Sequence, residues 1–193
     1  MGIISRFPAG ATKPYIEETY NSNGQLIAAK MYGYKAIRNG AFSNCASLAL
    51  TTLSSEITSI GVYAFVGCSS LVLTTLPSGI TNIEEGVFSG CSSLALTTLP
   101  SGITNIGNSA FDGCSSLALT TLPSGITNIG DYAFSSCSSL VSLTFEGTPE
   151  HISYSAFIGC YNLTTINVPW AEGAVEDAPW GAENATINYG HIS

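Results

Sequence analysis

Six cysteines, at 45, 68, 91, 114, 137 and 160, and two histidines, His151 and His191, are the residues whose chemistry could reach beyond packing. Thiols ligate zinc, close disulfides or act as nucleophiles. Zinc sites want close ligand pairs of the CxxC kind; none occurs, and only the two histidines could assist. A nucleophilic Cys needs a cationic neighbour to lower its pKa, and none of the six has one. An even count invites disulfides, yet every gap is 23 residues, which puts each Cys at the same place in successive coils of a repeat. Coils stacked about 4.8 Å apart could bring neighbouring thiols within bonding range. The position favours free buried thiols, because Cys packs as a small hydrophobe.

Other catalytic sets are incomplete. Serine is abundant, but there is no GxSxG elbow, and a triad needs a histidine beside the serine with a carboxylate behind it. His151 takes the place that Asn82, Asn105 and Asn128 hold in other coils, so it reads as a surface substitution. Glu84 and Glu85 stand at an expected helix start, where carboxylates offset the dipole. Without a P-loop, GxGxxG or EF-hand loop, no cofactor and no metal are implied, and the expectation is that the chain is not an enzyme.

The elements that carry these residues repeat as strictly as the cysteines do. Three places before each Cys stands a phenylalanine: Phe42, Phe65, Phe88, Phe111, Phe134 and Phe157. Such a period means a solenoid, whose coils bury their apolar faces only by stacking. The expected core is Cys45, Cys68, Cys91, Cys114, Cys137 and Cys160 with Phe65, Phe88, Phe111 and Phe134. In the stretch 114–140, Ala133, Phe134, Cys137 and Leu140 have the spacing of a short helix that Asp131 could cap. Leu117, Leu119 and Leu122 lie in an extended stretch, Pro123-Ser124-Gly125 is a turn, and Ile126 and Ile129 form a second short strand.

These motifs resemble the Treponema-type, or BspA-like, leucine-rich repeat: a central LP, then IxxIG, then AFxxC. Here they stand as Leu99-Pro100, Ile103, Ile106-Gly107, Ala110-Phe111 and Cys114, and the match spans about residues 34 to 168. The resemblance implies a right-handed α/β solenoid of 23-residue units with short strands and short helices, capped at both ends. It also implies surface, adhesion or host-interaction roles as a class. There are departures. The aliphatic residue six after Cys is present as Leu143 and Ile166, but Thr51, Thr74, Thr97 and Thr120 replace it in the first four units, with Leu50, Leu73, Leu96 and Leu119 one place earlier. Strand register there is open by one residue, and a one-residue slip exchanges the two faces.

The expected divisions are a loose lead at 1–13, a β-hairpin cap at 14–33 with its turn at Asn23-Gly24, the repeats at 34–168, and a cap at 169–193. In the last, Trp170 and Trp180 read as lids over the final coil, and residues 186–189 as a further strand.

Charge narrows the partners. The first 38 residues carry +3 and the remainder −11, with no Lys or Arg after Arg38. Nucleic acid and anionic membranes both select for the missing cations, so neither is expected as a partner. No apolar run approaches the roughly 20 residues of a membrane span, and MGIISRFPAGATK lacks the apolar core of a secretory signal. The chain therefore stays in a cell, leaves by particle assembly or lysis, or is a fragment of a longer protein. Its opening MGIISRFPAG and its closing residues 166–189 are similar to stretches of leucine-rich repeat proteins from gut Firmicutes and their phages, tail-associated ones included. That likeness implies an extracellular or virion-associated location after a cytoplasmic start.

Seven residues after each Cys come Thr52, Thr75, Thr98, Thr121, Thr144 and Asn167, a ladder expected on a concave β face. A second ladder holds Thr58, Thr81, Thr104 and Thr127 beside Asn82, Asn105 and Asn128. Threonine suits any exposed strand, so the ladders are open to a purely structural explanation. Read functionally, the first is an uncharged hydroxyl strip that binds a protein or glycan of a host or bacterial surface. A ligand-free spacer or decoration domain and an ice or crystal-surface binder are the other readings the ladder allows.

Overall fold

A computed structural model describes residues 2–5 and 15–191. In chain order its strands are β1 (Gly2–Ser5), β2 (Tyr15–Tyr20), β3 (Leu26–Tyr32), β4 (Ala36–Ile37), β5 (Ser59–Ile60), β6 (Asn82–Ile83), β7 (Asn105–Ile106), β8 (Thr121–Leu122), β9 (Asn128–Ile129), β10 (Ser142–Phe145), β11 (His151–Ile152), β12 (Thr165–Asn167) and β13 (Thr186–Asn188). From β4 onward all pairing is parallel, because each coil lays the same residues on the coil before. One column of strands runs β6-β7-β9-β11 and another β8-β10-β12-β13.

The short helix expected in each coil is not formed; no described residue is helical. In coil 5 the N–H groups of Ala133, Ser135 and Cys137 return to carbonyls three residues back. Those of Phe134 and Ser136 leave the coil altogether, donating at 2.8 Å to Ala156 and Ile158 in coil 6. A helix needs every N–H turned back four residues, whereas three of these five donors turn back only three and two leave the coil. Left-handed residues enforce the pattern: Tyr132 has φ 56° and Ser136 φ 58°. The second position recurs immediately before each Cys and is glycine in four coils, Gly67, Gly90, Gly113 and Gly159, the residue that meets positive φ without steric cost. The helical spacing of Phe134, Cys137 and Leu140 thus records a chain of tight turns whose side chains still converge inward.

Inside, the six phenylalanine rings form one column. Centroids from Phe42 to Phe157 are separated by 5.2, 5.8, 5.6, 5.4 and 5.1 Å, and no successive pair is tilted by more than 13°. Cys68, Cys91, Cys114, Cys137 and Cys160 are buried beside it, and all six cysteines are free thiols. Cys45, expected in the core with the others, is only half-buried, because the first coil has a coil neighbour on one side only.

At the N-terminal end, β1, β2 and β3 make an antiparallel sheet. The β2–β3 loop is organised by Asn21, whose Oδ1 accepts the N–H groups of Asn23 at 2.9 Å and Gln25 at 3.0 Å, with Gly24 at φ 74°. The loose lead read at 1–13 contains a strand, since Gly2–Ser5 pair with Glu17–Tyr20 and satisfy the edge of β2. Residues 6–14 lie outside the described residues. At the other end Trp180 is fully buried, and its carbonyl accepts the N–H of Phe157 at 2.9 Å, so it stands 23 residues on, in the phenylalanine's register. Trp170 packs edge-on against Phe145 with centroids 5.3 Å apart, and β13 extends the sheet beyond β12.

Candidate functional site

The face open to recognition is built by the residues between Cys and the turn. In coil 4, Leu117, Leu119 and Leu122 are buried, Thr120 is exposed and Thr121 half-buried. Two adjacent outward residues therefore stand between inward Leu119 and Leu122. In coil 5 the adjacent outward pair is Val141-Ser142, between inward Leu140 and Leu143, and plain alternation follows through Thr144 and Phe145. The register question is settled by this relocation of the outward pair, which leaves the seventh residue after Cys outside in every coil. It also explains why β10 and β12 are longer than β8: strands need uninterrupted alternation.

Thr52, Thr75 and Thr98 are exposed, and Thr121, Thr144 and Asn167 half-buried. Thr51, Thr74, Thr97 and Thr120 are exposed beside the first four, so coils 1 to 4 present a double column of threonines. The single-column reading missed this second column. Its signal was present in the repeated Leu-Thr-Thr-Leu, where two polar residues between apolar ones must both face water.

The hydroxyls of the two ladders differ in use. Thr58, Thr104 and Thr127 donate Oγ1–H to Lys35, Thr81 and Thr104 carbonyls of the preceding coil, at 3.2, 3.3 and 3.0 Å. Beside them Asn128 Nδ2 donates to Asn105 Oδ1 at 2.9 Å. Among the described residues, no hydroxyl of the double column in coils 1 to 4 has a partner within the chain. Farther along, Asn167 Nδ2 donates to Thr144 Oγ1 at 3.2 Å and Asn188 Nδ2 to Asn167 Oδ1 at 2.8 Å, closing the column internally. At its N-terminal end Thr52 borders a cleft of about 300 Å³ with Lys30 and Ser54.

No reactive constellation forms around the other candidates. His151 is exposed on β11, paired with Asn128, and borders a cleft of about 330 Å³ with Glu150, Glu176 and Asp177. Ser153, the serine nearest in sequence, is buried and donates to Asp131 Oδ1. Among the described residues no group of three or more His, Cys, Asp or Glu could hold a metal ion. Burial, then neighbouring Cys45, pushes the Cys68 thiol up to about 12. Burial likewise raises Cys160 to about 11 and raises Cys91, Cys114 and Cys137. These thiols are held away from the thiolate that nucleophilic or ligand chemistry needs. No helix of the described residues is long and apolar enough to cross a membrane.

Stacked 23-residue coils, with inward leucines and an uncommitted polar face, define a leucine-rich repeat solenoid. The chain belongs to the BspA-type leucine-rich repeat family, whose model matches residues 35–164 as six copies. A leucine-rich repeat protein from Bacteroides ovatus is similar in structure, with 26% identity and a TM-score of 0.65 over 86% of this chain. The chain spans 45% of that protein's length, so it matches less than half of it. The leucine-rich repeat protein of T. pallidum shares 27% identity with a TM-score of 0.62, covering 79% of this chain and 81% of that one. The pneumococcal vaccine antigen PcpA shares the fold at 16% identity and a TM-score of 0.58, over 82% of this chain and 42% of its own. No curated protein matches the chain.

Proposed function

We propose that the protein is a non-enzymatic recognition module whose threonine face engages a protein or glycan of a host or bacterial surface. The observation that carries this reading is the difference between the ladders. Three of the four threonine hydroxyls of the second ladder are bonded to the preceding coil, Thr81 being the exception, whereas those of Thr51/Thr52, Thr74/Thr75, Thr97/Thr98 and Thr120/Thr121 have no partner among the described residues. A strip of unspent donors and acceptors whose one neighbouring cation among the described residues is Lys30, at the N-terminal end beside Thr52, suits a neutral polar ligand better than a phosphate-rich one. The module works outside the cell, on a virion tail or a bacterial surface, in keeping with the likeness of its two ends to phage and gut Firmicutes proteins.

The test is binding to a panel of bacterial surface preparations and neutral glycans by the parent protein and by a Thr98→Lys, Thr121→Lys double variant. Parent binding that the variant loses, with its melting point unchanged, supports the reading. Silence of the parent across the panel overturns it in favour of a ligand-free spacer.

A further inference from the structure

Coil 6 departs from its predecessors on the turn side of the solenoid, away from the threonine columns. Where coil 5 has Asp131, Ser135 and Ser138, coil 6 has Tyr154, Ile158 and Tyr161. These are 66%, 37% and 65% exposed, and Tyr132 in coil 5 is 46% exposed. Tyr132, Tyr154 and Ile158 lie together, and Tyr161 follows Ile158 by three residues in the same coil. Phe134 and Ser136 N–H donate to Ala156 and Ile158 carbonyls, a register that sets Tyr132 beside Tyr154. A Cβ added at Gly181 would meet both Ile158 Cγ1 at 2.7 Å and the Tyr154 carbonyl at 3.2 Å.

The fold does not require these side chains. In coils 2 to 5 the residue after Cys is a serine, and Ser69, Ser92, Ser115 and Ser138 each donate Oγ–H to the carbonyl one coil back. Tyr161 breaks that ladder, and Asn162 Nδ2 supplies the missing bond to the Ser138 carbonyl at 2.8 Å. Tyr132 occupies a left-handed position that Gly40 and Gly86 fill in coils 1 and 3, an unfavourable backbone for a bulky residue. The tyrosine at the same position in coil 2, Tyr63, donates its hydroxyl to Glu85, whereas the Tyr132 hydroxyl has no partner among the described residues. Strain kept without a hydrogen bond at the hydroxyl points outward, to a function.

We propose that Tyr132, Tyr154, Ile158 and Tyr161 form a second docking surface, separate from the threonine face, for a protein segment that carries Arg or Lys beside apolar side chains. Exposed apolar patches rimmed by polar residues mark interaction sites, and tyrosine dominates interface hot spots. Charge selects the partner. Asp131 stands one coil before Tyr154 in the same repeat position, Asp112 two coils before Ile158, and Glu183 one residue from Asn184, whose Nδ2 bonds the Tyr161 carbonyl. With no Lys or Arg after Arg38, the surface repels anions and offers ring faces to cations.

The coils themselves supply the test variant. Tyr132→Ser, Tyr154→Asp, Ile158→Ser and Tyr161→Ser install residues that coils 4 and 5 already carry at these positions, so the melting point should hold. The probes are a 12-residue Arg/Leu peptide, its Glu/Leu counterpart and maltohexaose. The proposal expects the Arg/Leu peptide to bind and its Glu/Leu counterpart not to, with the Arg/Leu peptide held at least about tenfold more weakly by the variant and any maltohexaose binding unchanged. Simple charge attraction predicts the opposite order, because the variant is more acidic than the parent. Equal or tighter binding to the variant, binding of maltohexaose in place of the peptide, or a parent dimer that the variant dissolves would each overturn it.

Discussion

The Sγ of Cys137 donates to the carbonyl oxygen of Phe111, 26 residues earlier, at 3.1 Å. That carbonyl also accepts the backbone N–H of Cys114 at 3.0 Å. The arrangement repeats from Cys68 to Cys160, each thiol reaching the preceding coil's phenylalanine at 2.9 to 3.1 Å. The Cys thus fills a small apolar volume and spends the second lone pair of a buried carbonyl, a pairing that buried polar groups demand.

Thiol reactivity should divide five to one. Cys45 alone is half-buried, so native protein should react at one thiol, slowed because burial and Glu18 raise its pKa, and unfolded protein without reductant at all six. Ellman titration before and after denaturation reads both numbers. Fewer than six after denaturation would mean that disulfides form.

Alkaline pH should destabilise the fold before it damages the chain. Thiols titrate at 9.0 when unfolded, whereas burial holds Cys160 near 11 and Cys68 near 12 in the native state. Below pH 9 both states keep the protons and stability is unaffected. Between 9 and 11 the unfolded chain releases thiol protons that the folded chain retains, so stability falls as pH rises. Melting points across this window should decline, and less steeply in a Cys91→Ala, Cys137→Ala variant compared with its own value at pH 7. A flat profile in the parent would rule out protonated buried thiols.

Threonines of the two ladders should respond differently to loss of the hydroxyl. Thr127→Val removes a bond to the Thr104 carbonyl and should cost about 0.5–1.5 kcal/mol, whereas Thr98→Val removes none and should stay within about 0.5 kcal/mol. Urea unfolding of both variants makes the comparison. Equal losses would mean that the exposed column is as structural as the other.

Removing residues 169–193 should uncover Phe145, against which Trp170 and Trp180 pack, and Val168, which is fully buried and bonded to Asn188 of the closing segment. Exposed apolar area is unfavourable by roughly 25 cal/mol per Å², so the truncated chain should aggregate. Light scattering after refolding checks it, and a monodisperse truncated monomer with the parent's melting point would contradict a capping role.

The period of Phe and Cys in the sequence determined the stacking and the phenylalanine column of the core, because both depend on which residues face inward in a repeated coil, whereas the outward facing of the seventh residue after Cys was decided by the tertiary structure, since Leu50, Leu73, Leu96 and Leu119 left the register open by one residue. Spacing could not tell a helix from successive turns: Phe134, Cys137 and Leu140 converge on the core either way, and only the second coil shows that the N–H groups of Phe134 and Ser136 leave for Ala156 and Ile158. Which hydroxyls are free was likewise a tertiary matter. Thr98 and Thr104 are both exposed, yet only Thr104 has a preceding-coil carbonyl within reach, at 3.3 Å on Thr81, and that proximity exists only once the coils are stacked.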